Sequence, residues 1–249
     1  MNKDKRVVMI TGATKGLGKA LAFAFANENY RIAICARNEE EVHLVKTELE
    51  QRGAEVVAVR ADVSNEKDVD RFVSVVENVF GTIDVLINNA SIFGPGPSLL
   101  LDFNLQSFEE VLRVNIINPF LVTKRVLPGM LTRNTGSIIN VTSEAGRTGF
   151  ATWGAYGISK FAVEGMTQTW ADELSDTGVR INMVDPGEMD TDMHEIAVPG
   201  CDYPLAKPEE VVDVFLYLGS EESNEINGIR FEAHDFSDRK GKSDGINSF

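Results

Sequence analysis

Tyr156 and Lys160 stand four residues apart in the run Tyr-Gly-Ile-Ser-Lys, thirteen residues after Ser143. On a helix such a pair shares one face, because side chains four apart are stacked neighbours. A phenol, with an ordinary pKa of about 10, is a poor base at neutral pH, and a nearby cation favours its ionised form. The pair can therefore protonate a carbonyl oxygen or take a proton from an alcohol. Ser143, at the end of an apolar run, can donate a hydrogen bond to the same oxygen. Near the start of the chain, Thr11-Gly-Ala-Thr-Lys-Gly-Leu-Gly18 follows an apolar strand directly. Gly12 permits a tight turn, Gly16 lets backbone approach a pyrophosphate, and Gly18 allows the helix to pack close to the sheet. The positive end of that helix favours a diphosphate. A dinucleotide turn combined with a proton-moving pair implies hydride transfer.

These residues need elements to position them, and the apolar pattern supplies strands alternating with helices. Val7 to Ile10 precedes a helix from about Gly16 to Asn29, and Arg31 to Cys35 one from about Glu39 to Arg52. Val56 to Val59 precedes a helix from Glu66 to Phe80. Val85 to Ile87 leads through a long loop to a helix from Ser107 towards Arg133. Ser137 to Val141 precedes a helix from Ala151 to Ser175. Ile181 to Val184 leads to an irregular stretch and a helix from Pro208 to Leu218, and a last strand is expected around Ile229 to Ala233. The pattern predicts an α/β, doubly wound Rossmann fold: a seven-stranded, mostly parallel sheet with helices on both faces. Gly12, Arg37, Asp62, Asn88 to Ala90, Thr142 to Ser143 and Asp185 to Gly187 all follow strand ends. In an open parallel sheet those ends share one edge, where ligands bind.

At 249 residues, 43% hydrophobic and 25% charged, the chain fits one domain, expected over residues 1–236. The polar stretch 237–249 is expected to be a mobile tail. No apolar run approaches the roughly 20 residues that span a bilayer, which predicts a soluble cytoplasmic protein without a membrane partner. Cys35 and Cys201 have no framework spacing and are expected to be free thiols. His43, His194 and His234 are scattered without ligand spacing, so no metal is expected. A net charge of −14 disfavours a nucleic-acid partner.

Between about residues 6 and 233 the chain resembles the single-domain branch of the short-chain dehydrogenase/reductase family. Thr11-Gly-x-x-x-Gly-x-Gly18 is similar to the family's cofactor motif, so Gly12, Thr14, Lys15, Gly16, Leu17 and Gly18 are candidate cofactor contacts. Asp62-Val63 matches the adenine contact, Asn88-Asn89-Ala90 the sheet-stabilising motif, and Pro186-Gly187 with Thr191 the segment that holds the nicotinamide carboxamide. The resemblance implies a catalytic tetrad of Asn115, Ser143, Tyr156 and Lys160, with Asn115 anchoring a water that relays protons to Lys160. Singly, each has a duller explanation. Ser143 could cap a segment, Tyr156 and Lys160 could be a surface pair, and Asn115 could merely bend a helix. Together, after a cofactor turn, they read as catalytic.

The chain departs from the family pattern at Ser91, Glu144 and Glu188, and at Ala233-His234-Asp235. For both glutamates a position facing solvent is the safer expectation. The loop Ile92 to Ser98 and the segment Glu188 to Lys207, with Met189, Met193, Ile196, Val198 and Tyr203, occupy the places that set specificity. The second has the position of the family's substrate lid, and its apolar side chains could equally pack onto the sheet.

After the second strand an NAD site needs a carboxylate for the adenosine ribose. Ala36 stands there instead, followed by Arg37, and Lys15 supplies a second cation. Either could be an ordinary solvated charge, but their joint placement predicts a 2′-phosphate clamp and NADPH as cofactor. The expected reaction joins NADP(H) to a small ketone or secondary alcohol, most plausibly as carbonyl reduction. A 3-oxoacyl thioester reductase and a non-catalytic cofactor sensor are the alternatives. Apolar residues in excess of one sheet-facing stripe, among them Phe120, Phe161 and Trp170, predict a homotetramer or homodimer.

Overall fold

The computed structural model describes residues 5–240. The sheet is made of β1 (Val7–Thr11), β2 (Arg31–Ala36), β3 (Val56–Arg60), β4 (Val85–Asn88), β5 (Gly136–Val141), β6 (Val179–Asp185) and β7 (Arg230–Glu232). They run in the order β3-β2-β1-β4-β5-β6-β7, and every neighbouring pair is parallel. The helices are α1 (Gly16–Asn27), α2 (Glu39–Gln51), α3 (Glu66–Phe80), α4 (Leu105–Leu112), α5 (Asn118–Arg133) and α6 (Gly154–Glu173). They continue with α7 (Asp192–Ala197), α8 (Asp213–Gly219) and α9 (Ala233–Lys240).

Alternation along each strand feeds two cores. Val7 and Met9 pack with Phe72, Val122, Val126 and Leu174 on one face of the sheet. Val8 and Ile10 pack with Leu21, Phe25, Leu49 and Phe215 on the other. Full burial of each such side chain contributes about 1.5–3 kcal/mol, so both layers hold the strand ends, and the loops they carry, in place. Local chemistry sets the helix starts. Asn38 accepts hydrogen bonds from the amides of Glu40 and Glu41, and Asn65 from those of Lys67 and Asp68. Glu39, Glu40 and Glu41 form the acidic first turn of α2.

Two expectations are corrected. The single helix expected from Ser107 is two helices, α4 and α5, joined by a π-helical turn over Arg113–Ile117. There the Asn115 side chain bonds both the amide and the carbonyl of Ile92, and π turns of this kind accommodate such side-chain insertions. The stretch after β6 contains α7, which Thr191 caps by accepting from the His194 amide. α9 carries Phe236 against Tyr217 and Phe231 and runs to Lys240, into the stretch 237–249 expected as a tail. Residues 241–249 lie outside the described residues.

Candidate active site

The strand order reverses between β1 and β4, and this is where the glycine turn meets Asn88-Asn89-Ala90. Asn89 Nδ2 donates to the carbonyls of Thr11 (3.0 Å) and Gly12 (2.9 Å), while Thr11 Oγ1 accepts from the amides of Asn89 and Ala90. Gly12 has φ +66°, and a Cβ there would sit 2.8 Å from Ala90 Cα. Lys15 places no side-chain cap on α1, which leaves its first-turn amides to an outside acceptor. A second polar seam runs through the sheet. Asn88 Nδ2 donates to Thr123 and Asn140, and Asn140 Nδ2 donates to Thr167.

A cleft of about 1030 Å³ runs along this edge. It is lined by every predicted contact from Gly12, Thr14, Lys15, Gly16, Leu17 and Gly18 through Arg37, Asp62 and Val63 to Asn89 and Ala90. Ser143, Tyr156, Lys160, Pro186, Gly187 and Thr191 line it too. Asn115 does not. It lies beneath, donating to Ile92 O (2.8 Å) and Ser159 Oγ (2.9 Å), and Ser159 in turn donates to the Tyr156 carbonyl.

The adenosine end differs from expectation in detail. Asp62 is occupied by the amide and hydroxyl of Ser64. Arg37 is exposed on the rim. Lys15 reaches instead across the cleft to Asp192, 2.9 Å away, and Thr14 donates to Glu41. Two features suit a dinucleotide. A Cβ added to Gly16, whose φ is +51°, would stand 3.3 Å from the Thr191 side chain and narrow the groove. Ser91 Oγ, a buried polar atom lining the cleft, has no hydrogen-bond partner in the protein and is suited to a ligand hydroxyl.

At the other end Tyr156 packs against Phe93 and Trp153 at ring-centroid distances of 5.3 and 5.9 Å. Lys160 Nζ donates to the Val141 carbonyl at 2.9 Å and lies 5.3 Å from the Tyr156 ring centre. Ser143 follows β5, and its Oγ accepts from Ala145 N, so the capping role and the site position coexist. Burial pushes the Tyr156 phenol above its ordinary range, against the hydrogen bond with Ser143. Burial also lowers Lys160 to about 8, opposed by Asp185 and Glu164. In the protein alone desolvation, together with Asp185, outweighs that hydrogen bond, so the phenol stands high where a neighbouring cation by itself would bring it down. Tyr156 is held as an acid, the form that donates a proton to a carbonyl oxygen.

Both glutamates are exposed, as expected, and both also line the cleft. Glu144 accepts from Thr148, and Glu188 Oε1 accepts from Tyr203 OH at 2.8 Å and lies 3.2 Å from His194 Nε2. The lid readings also coexist. Met193 and Val198 pack beside Tyr156, whereas Met189 packs onto the sheet. Sequence reasoning missed Ser91 as an orphaned polar atom, the anchor Asp185, and the buried Glu164 one turn beyond Lys160; the i,i+4 spacing of Lys160 and Glu164 was the available signal.

A family model described as short chain dehydrogenase matches residues 6–200. The chain belongs to the short-chain dehydrogenase/reductase family. It is an oxidoreductase. A 3-oxoacyl-[acyl-carrier-protein] reductase of Synechocystis sp. is 37% identical over 223 residues, 87% of this chain and 90% of that protein. Among solved structures, a protein described as a short-chain dehydrogenase from Escherichia coli CFT073, complexed with NADPH, superposes with TM-score 0.86. It is 30% identical and covers 92% of this chain and 97% of its own. An NAD⁺-bound xylitol dehydrogenase gives TM-score 0.85 at 29% identity, covering 93% and 98%. Neighbours of this family member thus carry either nicotinamide cofactor.

Proposed function

We propose that this oxidoreductase reduces a small ketone with NADPH, using Tyr156 as proton donor, Ser143 to hold the carbonyl oxygen and Lys160 as the neighbouring cation. The observation that carries the reading is the buried Tyr156 phenol, kept protonated in a cleft continuous with the glycine turn. When bound, the nicotinamide supplies the hydride. Gly12 to Gly18 would cradle the diphosphate, and Pro186, Gly187 and Thr191 would hold the nicotinamide end. The domain expected over residues 1–236 acts as one catalytic unit. No described helix is long and apolar enough to cross a membrane. Cys35 and Cys201 are free thiols, which supports work in the cytoplasm.

NADPH is favoured because Ala36 offers no carboxylate to a ribose while Arg37 lines the adenosine end. The Lys15–Asp192 pair is exposed on both sides, and such pairs contribute about 0–1 kcal/mol, so the lysine can turn to a phosphate at little cost. Arg37→Ala should lower kcat/KM for NADPH by about 10–150-fold, the worth of one charge-assisted bond, and leave NADH use nearly unchanged. A ketone panel run with both cofactors tests reaction and clamp together. No turnover of any ketone rejects the reaction, and equal losses for both cofactors reject the clamp.

A second reading, reduction of a 3-oxoacyl thioester, is favoured by the likeness to the Synechocystis protein. The net charge of −14 makes docking of an acidic carrier unfavourable, which favours a small carbonyl compound.

The working assembly is a homotetramer or homodimer. Ile117, Phe120, Ile158 and Phe161 are exposed apolar residues on the π turn, α5 and α6, and Phe120 stacks on Trp170 at 5.9 Å. Val122 and Val126, by contrast, are spent on the core. Light scattering at micromolar concentration should give a multiple of the 27.4 kDa chain; a monomer would exclude the assembly.

A further inference from the structure

Arg230 is the basic residue between Ile229 and Phe231 on the edge strand β7. Its side chain is only 6% exposed. A buried guanidinium persists only where it is paired and hydrogen-bonded, and the partners here all belong to the active-site floor. Nε donates to Glu164 Oε1 at 2.9 Å, and Nη2 donates to Asp185 Oδ2 at 2.8 Å and to the Ser143 carbonyl at 3.3 Å. Nη1 faces Glu232, which also pairs with Arg147, and Glu144 Oε2 lies 3.6 Å from Nη2. Glu144, Asp185 and Glu232 converge closely enough to suggest a cation site. Each of them contacts Arg230, so their counter-charge is part of the chain.

The two buried carboxylates have a second set of partners. Glu164 Oε1 accepts from Thr142 Oγ1 at 2.8 Å, and Asp185 Oδ1 accepts from Gly187 N at 2.9 Å. Consecutive residues at the exit of β5 are thereby gripped one after another: the Val141 carbonyl by Lys160, the Thr142 hydroxyl by Glu164, the Ser143 carbonyl by Arg230. Lys160, Arg230, Glu164 and Asp185 are all buried and together carry no net charge. Asp185 and Glu164 are also the groups that raise Lys160 against the effect of burial.

We propose that Arg230 is a positioning residue of the active site. It locks Ser143 and the Gly187 turn to α6, and it shares the charge of Glu164, one turn beyond Lys160 on that helix, and of Asp185, which lines the same cleft as Lys160. This rests on the reading that Tyr156 and Lys160 carry carbonyl reduction.

Because Lys160 must be charged to assist, reductase kcat/KM of the wild type should fall as pH rises through about 8. Arg230→Met leaves the two carboxylates to Lys160 alone, so the alkaline limb should move up by at least about one pH unit and kcat should drop while the protein still binds NADPH. Arg230→Lys should return the limb to its wild-type position yet restore kcat only in part, since an ammonium cannot span three acceptors in a planar fork. Glu164→Gln removes a negative charge and should move the limb the opposite way, to lower pH, which keeps the test open if Arg230→Met does not fold. The same shifts should appear without turnover in the ε-¹³C resonance of Lys160, identified by its loss in Lys160→Gln. Unchanged titration in Arg230→Met or Glu164→Gln, or movement of both limbs in one direction, would overturn the proposal. A wild type that reduces no ketone would refute the reaction instead, and the resonance would still decide the role of Arg230.

Discussion

Replacing Tyr156 by phenylalanine should lower kcat for ketone reduction by about 10²–10⁴-fold, the range over which a positioned general acid contributes, with NADPH affinity nearly unchanged. The substitution removes one oxygen and keeps the ring. Its contacts with Phe93 and Trp153 persist, and the apolar cluster with Ala145 and Ala197 is preserved. Losing a hydroxyl that desolvation already disfavours as an anion should leave thermal unfolding close to wild type. The effect is therefore read in turnover and not in stability. Steady-state kinetics with calorimetry on the same sample would settle it, and near-normal turnover would remove Tyr156 as proton donor.

Gly18→Ala is expected to act on the other half of the site, and through packing. A Cβ at that position falls within contact distance of the Gly12 carbonyl and 2.5 Å from Asn89 Nδ2. Those two groups are hydrogen-bonded to each other at 2.9 Å, in the seam that joins β1 to β4. Overpacking of a rigid contact costs about 1–3 kcal/mol, and disturbing the hydrogen bond adds about 0.5–1.5 kcal/mol. At about 2–4 °C per kcal/mol for a domain of this size, Tm should fall by several degrees, and NADPH binding should weaken because the α1 amides move away from the diphosphate. Gly149, with nothing near its missing Cβ, is the matched control. Equal Tm values for Gly18→Ala and Gly149→Ala would show that close packing at Gly18 is not what the turn requires.

Local spacing made most of the cleft readable before any coordinates. The glycine turn, the Tyr156/Lys160 pair and the strand-end positions of Asn89 and Gly187 are short-range patterns, and a parallel sheet brings all strand ends to one edge whatever the details of packing. Elements long enough to show a period were placed within a few residues, whereas the π turn at Asn115 was not. Its cause is a bond to Ile92, which is 23 positions away. Glu144 and Glu188 are exposed, as glutamate usually is, and only the fold shows that the solvent they meet is that of the cleft.

The chain's own pattern of residues was enough to determine a parallel α/β sheet, a dinucleotide turn and the presence of a phenol next to an ammonium, since each depends on spacing within one or two elements. Tertiary structure alone decided the protonation of that pair. Desolvation depends on everything packed around a group, and here it raises Tyr156 and brings Lys160 to about 8, against the direction that the neighbouring cation by itself implies. Folding likewise decided that Lys15 meets Asp192 and that Arg230 meets Glu164 and Asp185. These partners lie 45 to 177 positions apart, and only the pairing of strands such as β6 with β7 and the packing of helices around the sheet bring them within a hydrogen bond of each other.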